Sequence, residues 1–307
     1  MKRYGNGALG VLAFVTVGLL GSLLLRDGVA YGFFCLKPCL GGSNTGARCT
    51  DDSDCPGGQC APYCLHWTQG SATLDSFLGT PTMTLLNGTL TWDENAYNVA
   101  QDWNAAGTPF HYTVDLEGTL NEPCGSPGAA HACPNSGPVN DNPVVFRSSF
   151  CGLGFNDIVA QTNNCYDIGT GAMLNAPVFV NSTAPWNAYD GDIIFTADGE
   201  ALNDIRRVVL HEFGHVLGLD HPDDHGQSVS AIMNKHESDL DRLQSDDLGG
   251  IRSLYSQSSA SGSGGPAGSN INSCQLDAHG GAPRGWILWW LPAIAGVRVR
   301  RWCRKLP

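Results

Sequence analysis

Residues 203–221 read Asn-Asp-Ile-Arg-Arg-Val-Val-Leu-His-Glu-Phe-Gly-His-Val-Leu-Gly-Leu-Asp-His, and their spacing governs how the rest of the chain is read. Leu210, Phe213 and Leu217 recur at i, i+3 and i+7, which predicts a helix with one strongly apolar face. Asn203 or Asp204 can cap its start, and Gly218 can end it in a left-handed turn. On that helix His211 and His215 stand four residues apart and share a face. Gly218 lets the chain reverse, so His221 can swing back as a third ligand to the same ion. Three neutral imidazoles leave the fourth tetrahedral position of Zn2+ open to water, the layout of a catalytic site and not of a closed structural one. Glu212, beside the first histidine, is the base for that water and the proton donor to a leaving amine. The plain alternative is an amphipathic helix that carries two histidines by chance; the third histidine, the glycine turn and the helical context weigh against it.

His211 to His221 has the form H-E-x-x-H-x-x-G-x-x-H and resembles the signature of the metzincin zinc endopeptidases. Ser230-Ala231-Ile232-Met233-Asn234 resembles the methionine turn that lies beneath the zinc in that clan, with Met233 as its methionine. Within the clan the chain is similar to the matrixins. Leu243 to Tyr255 resembles their last helix, with Ser245 as its N-cap. Gly191 to Phe195 resembles the strand before the active-site helix, Gly171 to Pro177 the edge strand that receives substrate, and Asn156 to Val159 the strand before it. A first helix is expected over Glu94 to Ala105, between strands Thr89–Trp92 and Phe110–Leu116. The resemblance departs at Pro222, where matrixins usually place Ser, and at Lys235, where some clan members place a Tyr near zinc.

The resemblance implies an α+β, metzincin-like catalytic domain over residues 81–256: a twisted mixed sheet, the active-site helix, the methionine turn and a C-terminal helix. It implies one catalytic Zn2+ and a protein or peptide substrate laid along a sheet edge. Asp190, Asp192, Asp198 and Glu200 could supply oxygens to Ca2+, with a solvated acidic loop as the alternative. His225 and His236 are read as exposed and not as ligands.

Outside this region the chain carries processing signals. Lys2 and Arg3, the apolar run Ala8–Leu25 and the small residues Ala30-Tyr31-Gly32 form the pattern of a secretory signal over residues 1–32, with an uncleaved anchor as the alternative. Residues 257–280 are Gly/Ser-rich and read as a linker. Residues 281–307 join the apolar run Trp286–Val297 to an Arg-rich cluster, which resembles bacterial C-terminal sorting tags; a weak stop-transfer segment is the alternative. Both ends imply transient membrane contact and a secreted, envelope or extracellular location.

The chain holds 12 Cys, and an oxidising compartment favours their pairing. Six of them, Cys35, Cys39, Cys49, Cys55, Cys60 and Cys64, predict a small stapled module over residues 33–66, whose connectivity the sequence leaves open. Cys124, Cys133, Cys151 and Cys165 are expected to staple loops of the main domain.

Among the 307 residues, 42% are hydrophobic, enough to bury a core and exclude a wholly disordered chain. The net charge of −12, with many basic residues gathered at the two ends, gives no electrostatic footprint for nucleic acid. Zinc-dependent peptide hydrolysis is the function these features favour. The rivals are a surface-anchored binding protein on a metalloprotease scaffold, against which the intact Glu212 speaks, and a zinc amidase acting on cell-wall material.

Overall fold

The computed structural model describes residues 33–121 and 141–256. The signal-like residues 1–32, the linker 257–280, the tail 281–307 and the cysteines 124, 133, 274 and 303 lie outside the described residues. Among the described residues no helix is long and apolar enough to cross a membrane.

A five-stranded mixed sheet forms the frame. Its order is His111–Asp115, Ser71–Phe77, Asn142–Arg147, Val178–Asn181 and Ala160–Thr162. The first four strands run parallel, and Ala160–Thr162 closes one edge antiparallel to Val178–Val180. Helix α1 (Trp92–Asn104) and helix α2 (Ile205–Leu217) pack together, and α3 (Ser245–Tyr255) follows the cleft loop. The core joins sheet and helices through Leu74, Tyr112, Val178, Trp103, Phe213 and Ile251, all with at most 1% exposure.

Helix α2 is buried nearly all round, with 11 of its 13 residues inside. Burial leaves its carbonyls in need of partners, above all in the last turn. Side chains from elsewhere in the chain supply them. Trp103 Nε1 donates to Leu210 O at 3.0 Å, Tyr112 OH to Phe213 O at 2.5 Å, and Asn164 Nδ2 to His215 O at 2.8 Å. Trp67 Nε1 donates to Val216 O and Tyr255 OH to Leu217 O, both at 2.7 Å. The helix is thus fixed in rotation and height by groups from five separate segments. Asp204 caps its start through bonds from Arg206 N and Arg207 N; Gly218 ends it with φ 100°. Both ends match the sequence reading, with Asp204 and not Asn203 as the cap.

Several expectations are corrected. Thr89–Trp92 is not a strand: Thr91 caps α1 by accepting from Glu94 N, and Trp92 is the first helical residue. The strand ahead of α1 is Ser71–Phe77, so the sheet reaches back beyond residue 81, where the sequence placed the start of the domain. Met173–Asn175, inside the expected edge strand, pairs instead with Cys165–Tyr166 in a small separate ladder. The true edge, Ala160–Thr162, begins just past the turn at Asn156–Ile158. The strand expected at Gly191–Phe195 is only Ile194–Phe195, antiparallel to Ala201–Leu202; the strand that leads into α2 is Ala201–Asp204. Helix α3 starts at Ser245, with Gln244 as the cap and Asp247 completing the capping box.

The disulfide pairs in the N-terminal segment are Cys35–Cys64, Cys39–Cys55 and Cys49–Cys60. Cys151 and Cys165 are also disulfide-bonded.

Candidate active site

His211 and His215 project from the same face of α2, and the Gly218 turn brings His221 back beside them. His221 Nε2 lies 3.1 Å from His211 Nε2 and 2.9 Å from His215 Nε2. Each Nδ1 is turned outward to an oxygen: His211 to Ile232 O at 2.8 Å, His215 to Leu219 O at 2.8 Å, His221 to Asp224 Oδ2 at 3.2 Å. These acceptors hold the proton on Nδ1 and aim the Nε2 lone pairs at one point. Three such lone pairs at this separation repel one another unless a cation lies among them. Nitrogen donors about 2.0–2.1 Å from a tetrahedral zinc stand about 3.3 Å apart, close to what is found. The donor set therefore fits a divalent ion such as zinc. Burial, followed by the neighbouring His211, keeps His215 well below the ordinary histidine range and pushes His221 down to about 4. Both favour the neutral, ligating form.

Glu212 is 6% exposed. Burial raises its carboxyl above the usual range, opposed by His211 and by a hydrogen bond from Thr162. That bond is short: Thr162 Oγ1 donates to Glu212 Oε2 at 2.5 Å. Thr162 closes the edge strand, so strand and carboxylate are tied directly. The sequence reading missed Thr162, because nothing local links a threonine to a glutamate 50 residues on.

The turn Ala231–Met233 lies under the site. Asp247 of α3 holds it, accepting from Ile232 N at 3.0 Å, Met233 N at 3.1 Å and Gln244 N at 2.7 Å. Met233 is 2% exposed and packs so close to α2 that a Cβ on Gly214 would stand 2.1 Å from its Sδ. A side chain at 214 would push helix and turn apart.

A cavity of about 540 Å³ opens beside the histidines. The stretch Asp157–Gln161 lines one side, and Ile232, Asn234–Ser238 and Leu240 line another. Arg207 and Val208 of α2 and Arg48 from the disulfide-bonded segment complete it. Arg207 is 3% exposed and lies between Asp204 and Glu237, with Gly191 O accepting from its Nη2. Burial raises the Asp204 carboxyl to about 6, with Arg207 and three backbone N–H bonds opposing.

Two further expectations change. His225 is not free in solvent. Its ring stacks on Phe34 at 4.0 Å, and its nitrogens lie 2.9 Å from Thr50 Oγ1 and 3.3 Å from Asp220 Oδ2. Asp190, Asp192, Asp198 and Glu200 are exposed and do not converge. Among the described residues, the groups of three or more potential ligands are the three histidines and Cys39, Cys49 and Cys55 of the disulfide cluster. The calcium reading therefore has no structural support. His236 is exposed, as expected.

Comparison with known proteins finds the resemblance read from the sequence. Residues 152–256 match the Matrixin family model. Matrix metalloproteinase-16 of Homo sapiens and of Rattus norvegicus are each 40% identical over 117 residues, 38% of this chain and 18% of theirs. A probable matrix metalloproteinase 095L of Invertebrate iridescent virus 3 is 33% identical over 91 residues, 30% of this chain and 23% of its own. The chain thus matches about a fifth of the length of these relatives.

Proposed function

We propose that this chain, matrixin-like over residues 152–256, is a zinc-dependent endopeptidase that cleaves protein or peptide substrates outside the cytoplasm. The observation that carries the reading is the convergence of three Nε2 atoms beside a buried carboxylate. His211, His215 and His221 would hold zinc, with Met233 supporting them from below. Zinc in such a site supplies Lewis acidity to the scissile carbonyl and lowers the pKa of water.

The remaining work falls to the protein. A peptide adds as an extra strand along the free side of Ala160–Thr162, whose other side is paired with Val178–Val180. This pairing lays the backbone across the mouth of the cavity, and one substrate side chain enters between Val208 and the Asn234–Leu240 wall. Glu212, oriented by Thr162, takes a proton from the attacking water and returns it to the leaving nitrogen. Its raised affinity for protons suits both tasks, since a carboxylate that holds a proton more tightly accepts one from water more readily and keeps it for the leaving nitrogen. The outward Nδ1 partners keep the imidazoles rigid while charge develops. The disulfides of the N-terminal segment support an exported location, since such bonds persist in oxidising compartments.

The test is Glu212→Gln, which keeps size and most hydrogen bonds but removes the base. It should retain zinc and lose about 10²–10⁴-fold in kcat on an unfolded protein substrate. Turnover near that of the parent, or cleavage by the parent that a zinc chelator leaves untouched, refutes the reading.

A further inference from the structure

We infer that the disulfide-bonded segment 34–65 is a clamp on the loop that carries His221, and that it sets how long the three-imidazole site retains its metal. This rests on the proposed role of His221 as a ligand. The three ligands are not held alike. His211 and His215 ride on α2, which is buried and pinned through its carbonyls. His221 follows the helix in a loop, and a loop must be ordered by something outside itself if its histidine is to be ready for metal.

Lys235 holds Asp223 and Asp224 on the far side of His221, but the contacts to residues 218–220 and to His225 come from one segment and act on both backbone and side chains. Phe34 and Cys35 pair antiparallel with Asp220 and Leu219, the two residues before His221. Leu36 N donates to Gly218 O at 2.8 Å. Gly218 approaches this segment so closely that a Cβ there would lie 2.2 Å from Leu65 O. Beyond His221, the ring of His225 is stacked on Phe34 and lies 2.9 Å from Thr50 Oγ1. Arg48 Nη1 lies 3.6 Å from Asp220 Oδ1, the atom that accepts from His221 N at 2.9 Å. The loop is therefore gripped on both sides of its ligand.

The segment lies outside residues 152–256, the stretch matched by the family model. Its apolar interior is essentially the cysteine cluster Cys39, Cys49 and Cys55, and three disulfides make it stiff. A stiff segment transmits the position of Phe34 and Thr50 to the loop; a floppy one would merely cover it.

The experiment uses the zinc-loaded full chain and follows zinc release to a chromogenic chelator in excess. Phe34→Ala removes the stack and should speed release about tenfold, the upper range for an aromatic pair. Phe34→Trp restores a ring and should return the rate to within about twofold. Phe34→Ala in a His225→Ala background should add little, because both remove the same contact. If Phe34→Ala does not fold, Thr50→Val gives the milder form of the test, with release about threefold faster. Release at the parental rate in both Phe34→Ala and Thr50→Val, or full additivity of Phe34→Ala with His225→Ala, overturns the clamp. A parent chain that binds no zinc, or binds it equally well as His221→Ala, instead overturns the reading of the site.

Discussion

Replacing Thr162 by Val tests whether the edge strand governs Glu212, the proposed base. Valine has nearly the shape of threonine and favours strands, so the ladder to Val178 and the local packing survive. What disappears is one hydroxyl, 1% exposed at the residue level, donating to Glu212 Oε2 at 2.5 Å. A hydrogen bond to a charged group contributes about 1.5–3 kcal/mol. On the proposed mechanism this bond ties down Oε2 while Oε1 works on the water. Without it the carboxylate has lost its fixed partner within the protein and rotates to find another on the cleft side. If the full bond energy separates the productive orientation from the others, kcat falls about 10–100-fold. Substrate pairing uses the backbone of the strand, so KM should stay within about twofold. Thr162→Ser keeps the hydroxyl and should recover to within about threefold of the parent. The assay is steady-state cleavage of a quenched-fluorescent peptide at equal zinc content. A Thr162→Val variant within twofold of the parental kcat would show that Glu212 is oriented by something else. Serine as damaging as valine would point to packing in place of hydrogen bonding.

Three other outcomes follow from the same contacts. Gly214→Ala gains about 1 kcal/mol of helix propensity but drives a methyl into Met233 Sδ; a net loss of about 1–2 kcal/mol is expected by urea denaturation of the metal-free chain, and a gain would show a looser Met233. Asp247→Ala strands three backbone N–H groups and should cost about 3 kcal/mol, with hydrogen exchange speeding at Ile232 and Met233; unchanged exchange there would remove Asp247 as the anchor of the turn. Burial raises Asp75 to about 6, with a bond from Asn142 N opposing, and Asp141, just ahead of the strand Asn142–Arg147, and Asp115 of the other neighbouring strand adding repulsion. Its folded pKa lies above the unfolded one, so this contribution is complete below about pH 4 and is lost as pH rises through 6. Asp75→Asn should flatten the fall in stability over that range by about 1 kcal/mol, allowing for solvent screening; an unaltered slope in denaturation midpoints counts against it.

What the sequence showed and what it hid divide along the range of the interactions involved. The α2 helix was legible because its signals are local: an apolar repeat, a capping Asp204, a left-handed Gly218, and two histidines whose shared face follows from helical pitch. Even the misread start of α1 was locally written. Thr91-Trp92-Asp93-Glu94 is a capping sequence, with Glu94 Oε2 also accepting from Leu90 N, but its β-branched and aromatic residues suggested a strand. The edge strand proposed to receive substrate could not be found that way. Ala172-Met173-Leu174 is the more apolar stretch, and Met173 is buried in the main core, whereas Ala160-Gln161-Thr162 carries a weak strand pattern and owes its place to Val178–Val180.

The same division explains why the segment 34–65 read as a small module of its own. Six cysteines predicted its staples, but no pattern within it indicates that Phe34 pairs with a residue 186 positions later or that Thr50 meets His225. Sequence spacing specified which atoms could bind an ion; long-range pairing decides how firmly the last of them is held. A site assembled from both sources can keep its chemistry while its metal retention is tuned from outside the motif. Substitutions at Phe34 and Thr50 should therefore alter zinc release more than they alter the proton transfer proposed for Glu212, which is held from the opposite side by Thr162. Kinetics measured under saturating zinc would separate the two: the Phe34 variants should then approach the parental kcat, whereas Thr162→Val should not.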